Sequence, residues 1–241
     1  MPSLEAYRAE LEYSYASGIF PSMECLMYRP EEVRRLLVHS SSAGRDGIEK
    51  LVSLASAHRI RVEEADRALG RISGKENCYA AAVFTKFRDD LLTEKPHVVL
   101  HRPGDGGNVG TILRTALGLG IEDVALIRPC VDVFDPRTVR ASMGSLFRLR
   151  VRVYDDFEQY RAEFPDRPLF LFMLDASVPL GEIREIPPVY TLVFGNEGSG
   201  LPQAFANLGQ AVRIESNDKV DSLNLGIAAA IGIYRFTRGQ R

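Results

Sequence analysis

The chain has 241 residues, 45% hydrophobic and 26% charged, with a formal net charge of −2. This composition excludes a disordered or low-complexity protein and fits one large globular domain or two modest ones. The near-balance of charge provides no general basic surplus for nucleic acid, so any such surface must come from local clustering of Arg.

Cys25, Cys78 and Cys130 are odd in number, far apart and without CxxC spacing, which argues against a disulfide framework or zinc ribbon and suits a reducing compartment. The N-terminus, MPSLEAYRAELEYSY, is charged where a signal peptide needs an apolar core. No apolar run approaches the ~20 residues of a membrane span. Together these features predict a cytoplasmic protein with no membrane segment.

From Met23 to about Phe87 the chain reads as CLMY, EEVRRLLVH as a helix or VRRLLVH as a strand, a helix GIEKLVSLASAH, a strand IRVEE, a helix ADRALGRI and a strand YAAAVFTKF. The alternation of periods predicts a small α/β unit. RDDLLTEKP, Arg88 to Pro96, is polar and ends in Pro, so it reads as a linker. The expected domains are therefore 1–90 and 96–241.

A more regular series follows: strand HVVLH (His97 to His101), glycine loop RPGDGG, a helix from Asn108 to Leu119, strand DVALI, short helix DPRTVRASM, strand RLRVRVY, helix DDFEQYRAEF, apolar strands PLFLFML and VYTLVF, short helix PQAFANL, strand AVRI and a last helix. Strands alternating with helices predict a parallel sheet covered on both faces. Arg148, Arg150 and Arg152 read as the outward face of an alternating strand. Arg137 and Arg140 precede a Ser/Gly loop and are candidates for contact with RNA.

The first glycine loop fails as a dinucleotide fingerprint. Asp105 stands where a G-x-G-x-x-G ending at Gly110 needs its first Gly, and Glu122 and Asp123 come too early for the ribose-binding acid. What remains is a helix with Asn108 at a capping position and Arg114 in an otherwise apolar TILRTALGLG. An Arg there either snorkels to water or points at an anion.

LVFGNEGSGLP runs from an apolar strand into a turn where Gly195, Gly198 and Gly200 surround Glu197. It is either a plain tight turn or a loop whose backbone faces a ligand at the strand's carboxyl end. In DSLNLGIAAAIGIY, Asp221 or Ser222 reads as the N-cap, with Asn224 in the first turn. Gly226 and Gly232 read as points of close approach, since an interior Gly costs roughly 1 kcal/mol relative to Ala.

NVGTILRTALGLG, LVFGNEGSGLP and DSLNLGIAAAIGIYRF, in that order, resemble the three motifs of the SpoU/TrmH family of RNA ribose 2′-O-methyltransferases in the SPOUT superfamily, over about residues 96–237. The preceding unit resembles the ribosomal-protein-like substrate-binding domain attached to that family. The resemblance implies a C-terminal parallel-sheet α/β domain with a deep trefoil knot, behind a small α/β substrate-binding domain. It also implies a homodimer that packs its closing helix near the partner's active site, an rRNA or tRNA substrate, and no metal. S-adenosylmethionine would be held by backbone groups at Leu174, Gly195, Ile214 and Leu223. Asn108, Arg114, Glu197, Ser222 and Asn224 match the polar active-site positions.

By this resemblance Arg114 is assigned to the RNA phosphate and to the nascent alkoxide at the 2′ oxygen; because a guanidinium is a poor base, its role there is electrostatic stabilisation rather than proton abstraction. Glu197 and Asn224 are expected to orient Arg114 and the substrate, and Ser222 to fix the helix mouth. The chain departs from the family at Glu215, Ser216 and Asp218, at Gly226, and in ENCYAAAV, which lacks a His-Gln-Gly. The alternatives are a non-catalytic RNA- or cofactor-binding protein of the same fold and a methyltransferase acting on a base nitrogen.

Overall fold

The computed structural model describes residues 4–42, 44–73, 78–217 and 219–238, so Asp218, Glu76 and Asn77 lie outside the described residues. The chain forms two compact units. The first runs to Phe87 and also takes in Asp132–Arg148, while the second comprises Arg88–Val131 and Leu149–Arg241.

The first unit contains β1 (Tyr13–Ser17), α1 (Ile19–Tyr28), β2 (Val33–Val38), α2 (Asp46–Ala57), β3 (Val62–Glu64), α3 (Asp66–Ser73) and β4 (Ala80–Thr85). Its sheet has the order β1-β4-β2-β3, with β4 antiparallel to β1 and β2, and β2 parallel to β3. The ambiguous VRRLLVH is a strand, because Val33, Leu36, Leu37 and Val38 are all buried in a four-stranded sheet. β1 carries a short strand signal, because Tyr15 is its one large buried side chain and Ser14, Ala16 and Ser17 beside it are small.

The second unit begins with β5 (His97–His101), α4 (Gly106–Leu119) and β6 (Asp123–Ile127). The chain then supplies α5 (Pro136–Ala141) to the first unit, where Ser14 Oγ donates to the Phe134 carbonyl at 2.5 Å and Phe147 packs edge-on against Phe84 at 5.0 Å. A division into consecutive domains misses this excursion, because the burial partners of Phe134 and Phe147 lie far back in the sequence. Back in the second unit follow β7 (Arg150–Tyr154), α6 (Phe157–Glu163), β8 (Leu169–Phe172), β9 (Val178–Pro179), β10 (Thr191–Phe194), β11 (Gln210–Arg213) and α7 (Leu225–Arg238).

These strands form a seven-stranded, wholly parallel sheet in the order β7-β6-β5-β10-β8-β11-β9. The middles of its central strands are apolar, as both-face burial requires: Val98, Val99, Leu100, Leu192, Val193 and Phe194 are all buried. Residues 88–96 are packed rather than free as a linker, with Leu91 buried in the apolar core and the Leu92 N–H donating to Asp123 at 2.9 Å. Nor are the β7 arginines a solvated face. Arg150 pairs with the fully buried Asp123 at 2.7 Å and Arg152 with Asp90 and Glu163 at 2.9 and 2.8 Å, while Arg148 lies in a 3-10 turn before the strand.

β5 and β10 are neighbours whose onward connections run in opposite directions, to β6 on one side and past β8 to β11 on the other. Such a switch point leaves a crevice at the carboxyl ends of the strands, where ligands of parallel α/β sheets bind.

Candidate active site

The loop after β10 is built by its own small residues. Asn196 Oδ1 accepts from the N–H groups of Gly198 and Ser199 at 2.9 and 3.2 Å, and the Asn196 carbonyl accepts from Gly200 N–H at 2.9 Å. A Cβ on Gly195 would lie 2.2 Å from the Gly200 carbonyl carbon, so the turn closes only around Gly.

This folding sends Glu197 across to the loop after β5. Its carboxylate accepts from the N–H groups of Gly104 and Asp105 at 2.9 and 3.1 Å, and from Asn108 Nδ2 at 3.2 Å. Partial burial pushes the Glu197 pKa up, but these donors outweigh it and hold the group below the usual glutamate value. Glu197 is therefore an ionised clasp between the two loops that flank the switch point.

α4 starts two residues earlier than its sequence suggests. Asp105 is the N-cap, accepting from Asn108 N–H at 2.7 Å, so Asn108 sits inside the first turn with its side chain free for other work. The N-cap of α7 is neither Asp221 nor Ser222. Asn224 Oδ1 accepts from Gly226 and Ile227 N–H at 2.9 and 3.3 Å, while Asn224 Nδ2 donates to Asn108 Oδ1 at 3.0 Å. The amide of Asn108 is thus fixed at both ends, by Asn224 and by Glu197.

Arg114 stands apart from this relay. Its side chain is exposed on α4 and makes no hydrogen bond or ion pair among the described residues, so Glu197 and Asn224 hold Asn108 instead of Arg114. Ser222 is exposed, lines the adjoining cleft and caps nothing.

The cleft has a volume of about 350 Å³ and is walled by Phe172, Phe194, Leu174, Gly195, Ser222 and Leu223, among others. A smaller recess of about 80 Å³ opens from it past Val212, Ile214 and Ser216. Leu174, Gly195, Ile214 and Leu223 are therefore all brought together. Among the described residues, Asp175 and Glu197 line the cleft and no Lys or Arg does, which favours a ligand of net positive charge over one carrying phosphates.

Gly232 is explained by packing within the chain, since a Cβ there would meet Phe172 Cζ at 2.6 Å; Gly226 faces Thr111 of α4. The opposite face of α7 exposes Ile227, Ile231 and Tyr234, beside a shallow hollow of about 650 Å³ that Glu215 also lines. Arg137 and Arg140 lie on α5 and belong to the first unit, whereas the residues of the three motifs belong to the second. Sequence reading missed the structural roles of Asp105 and Asn196. Both carry a signal in retrospect, as Asx residues placed two or three positions before the N–H groups they cap.

Among the described residues there is no helix long and apolar enough to cross a membrane, and no group of three or more His, Cys, Asp or Glu that could hold a metal ion. Residues 95–234 match the model of the SpoU rRNA Methylase family. The chain is 34% identical over 137 residues to the 23S rRNA (adenosine(1067)-2′-O)-methyltransferase of Streptomyces laurentii, covering 55% of this chain and 50% of that protein. It is 31% identical over 220 residues to the Streptomyces azureus protein of the same name, covering 82% and 81%. An AdoMet-bound rRNA methyltransferase from Sinorhizobium meliloti superposes with a TM-score of 0.79 at 26% identity, over 95% of this chain and 88% of that one. The chain spans about half the length of several of its curated relatives.

Proposed function

Because this chain belongs to the SpoU rRNA methylase family, we propose that it transfers a methyl group from S-adenosylmethionine to a ribose 2′-hydroxyl of ribosomal RNA, as a cytoplasmic homodimer. The observation that carries this is the relay Asn224, Asn108, Glu197 at the switch point, beside a cleft lined by carboxylates and, among the described residues, by no basic side chain. Likeness to the Streptomyces azureus enzyme over four fifths of both chains, first unit included, favours rRNA over tRNA. The sheet order, with β8 between β10 and β11, supports a threaded C-terminal segment.

The cleft fits the cofactor by shape and charge. Phe172 and Phe194 give an apolar wall, Leu174, Gly195, Ile214 and Leu223 bring main-chain groups, and Asp175 offsets positive charge. When bound, S-adenosylmethionine supplies an electrophilic methyl carbon and a neutral leaving group. Everything else falls to the protein.

Glu197 locks the two loops and fixes the Asn108 amide, which keeps the mouth of α4 rigid. Arg114, unpaired and exposed, is free to meet the RNA and to stabilise the charge that develops as the 2′-hydroxyl loses its proton. Aligning the nucleophile with the methyl carbon contributes several kcal/mol of barrier reduction, with ~7–11 as the upper range. The exposed stripe Ile227, Ile231 and Tyr234 on α7 supports dimerisation through that helix.

The test is incubation with labelled S-adenosylmethionine and rRNA from cells lacking the gene, then nuclease digestion and mass spectrometry. Label in a 2′-O-methylnucleoside supports the proposal. Label in a base selects base methylation, and cofactor binding without label in any RNA selects a non-catalytic protein.

A further inference from the structure

Arg102 follows β5 in a conformation that its local chemistry disfavours. Its φ is +58°, in the left-handed region that bulky side chains rarely adopt, and the following Pro103 itself biases its predecessor toward extended backbone. The surroundings hold it there. The Arg102 N–H donates to the Ile127 carbonyl at 3.1 Å, its own carbonyl accepts from Asn196 Nδ2 at 2.8 Å, and the Pro103 carbonyl accepts from Val131 N–H at 2.9 Å.

That effort leaves the side chain exposed, with no hydrogen bond or ion pair among the described residues. Arg128, Arg150 and Arg152 in the same unit are all paired with carboxylates. Backbone strain persists only where neighbours over-determine it, and it gathers at ligand clamps and active sites. Asn196, the residue that pins Arg102, also shapes the glycine loop that walls the cleft.

We infer that Arg102 is an RNA-binding residue: its guanidinium, on a loop fixed by Asn196 and Glu197, takes a backbone phosphate of the substrate strand beside the target ribose. The inference rests on the reading of the chain as an RNA methyltransferase. A guanidinium matches a phosphate with two parallel N–H donors, and holding its backbone still reduces what must be ordered on binding. Arg114 remains the residue at the reacting oxygen, and Arg102 sets the register of the strand.

The full chain, with an unmodified 23S rRNA transcript as the probe, distinguishes this from a structural role. Arg102→Gly and Arg102→Asn accept the left-handed backbone but remove the charge, whereas Arg102→Lys keeps the charge. The first two should weaken transcript binding about tenfold and reduce the slope of log affinity against log salt by about 0.7, as one lost phosphate contact requires. Their cofactor affinity should be unchanged, their Tm equal to the wild type's or higher, and Arg102→Lys should recover much of the loss.

An unchanged salt slope in the Gly and Asn variants overturns the inference. So does a loss of cofactor affinity and Tm in parallel with RNA affinity, which would mark the guanidinium as structural. Wild-type protein that binds the transcript but methylates no RNA refutes the enzymatic reading, while the salt slopes still decide the role of Arg102.

Discussion

Asn224 Nδ2 donates to Asn108 Oδ1 at 3.0 Å across 116 positions of sequence, and the same Asn224 caps α7 through its Oδ1. One amide therefore performs two tasks that substitutions can separate. Asn224→Ala loses both, and should cost about 1 kcal/mol of stability as a removed cap does, together with most of the turnover. Asn224→Ser keeps a capping oxygen but has no donor for Asn108, so its Tm should stay near the wild type's while kcat falls as far as in the Ala variant. Thermal unfolding beside single-turnover kinetics checks this; equal activity in the Ser variant and the wild type would show that the relay does not matter to turnover.

The Arg114 side chain has no hydrogen-bond or ion-pair partner among the described residues. Arg114→Ala should therefore leave stability within about 0.5 kcal/mol, as for an exposed side chain away from special features. Its turnover should drop by ~10²–10³, the usual effect of deleting a group that stabilises transition-state charge. Calorimetric titration should find cofactor affinity nearly intact, since Arg114 does not line the cleft. Turnover that survives the substitution removes Arg114 from the reaction.

Most of the sheet was legible because a parallel strand buried on both faces reads as a mainly apolar run, as in HVVLH and VYTLVF. The glycine loop was legible too, since Gly195 admits no side chain where the turn closes. Cap positions were not. Asp105 and Asn108 both suit an N-cap by residue type, as do Asp221, Ser222 and Asn224, and only the backbone path decides which oxygen meets which N–H. The partners of Glu197 were equally hidden, because the donors that satisfy it are mainly main-chain groups some ninety positions earlier. The excursion of Asp132–Arg148 into the first unit depends on Phe84 and Phe87 as aromatic neighbours of Phe134, a match between distant segments that has no local period.

Ile227, Ile231 and Tyr234 recur at helical spacing on α7 and are 53%, 38% and 61% exposed. An apolar stripe of that kind is poorly tolerated in water unless a partner covers it. In the proposed homodimer, Ile231→Asp puts a charge in the stripe without touching the cleft, because the buried face of α7 is carried by Ala229, Gly232 and Ile233. Light scattering after size exclusion should show the wild type as a dimer and the variant shifted to monomer with an unchanged helical spectrum. A wild type that is monomeric at every concentration would refute this mode of assembly.

At the amino ends of the strands, far along the sheet from the cleft, a buried chain of polar groups sets a limit on acid stability. Arg167 Nε donates to Thr191 Oγ1 at 3.2 Å, Thr191 is joined to the Tyr160 hydroxyl at 2.7 Å, and Tyr160 reaches His97 Nδ1 at 2.9 Å. The chain ends at the Leu92 carbonyl, 2.8 Å from His97 Nε2. Burial, followed by the nearby Arg167 charge, pushes the His97 pKa down to about 4 from 6.5, although the Leu92 carbonyl opposes the shift. Between those two values the unfolded chain takes up a proton that the folded chain refuses. The stability is therefore fully present above pH 6.5 and is lost as pH falls through about 4, by roughly 3 kcal/mol at ~1.36 kcal/mol per unit. Replacing His97 by Gln, which can keep a donor and an acceptor but does not titrate, should lower stability at neutral pH yet flatten its decline between pH 6.5 and 4. Urea titrations across that range measure both slopes, and parallel declines in wild type and variant would mean that another group controls acid unfolding.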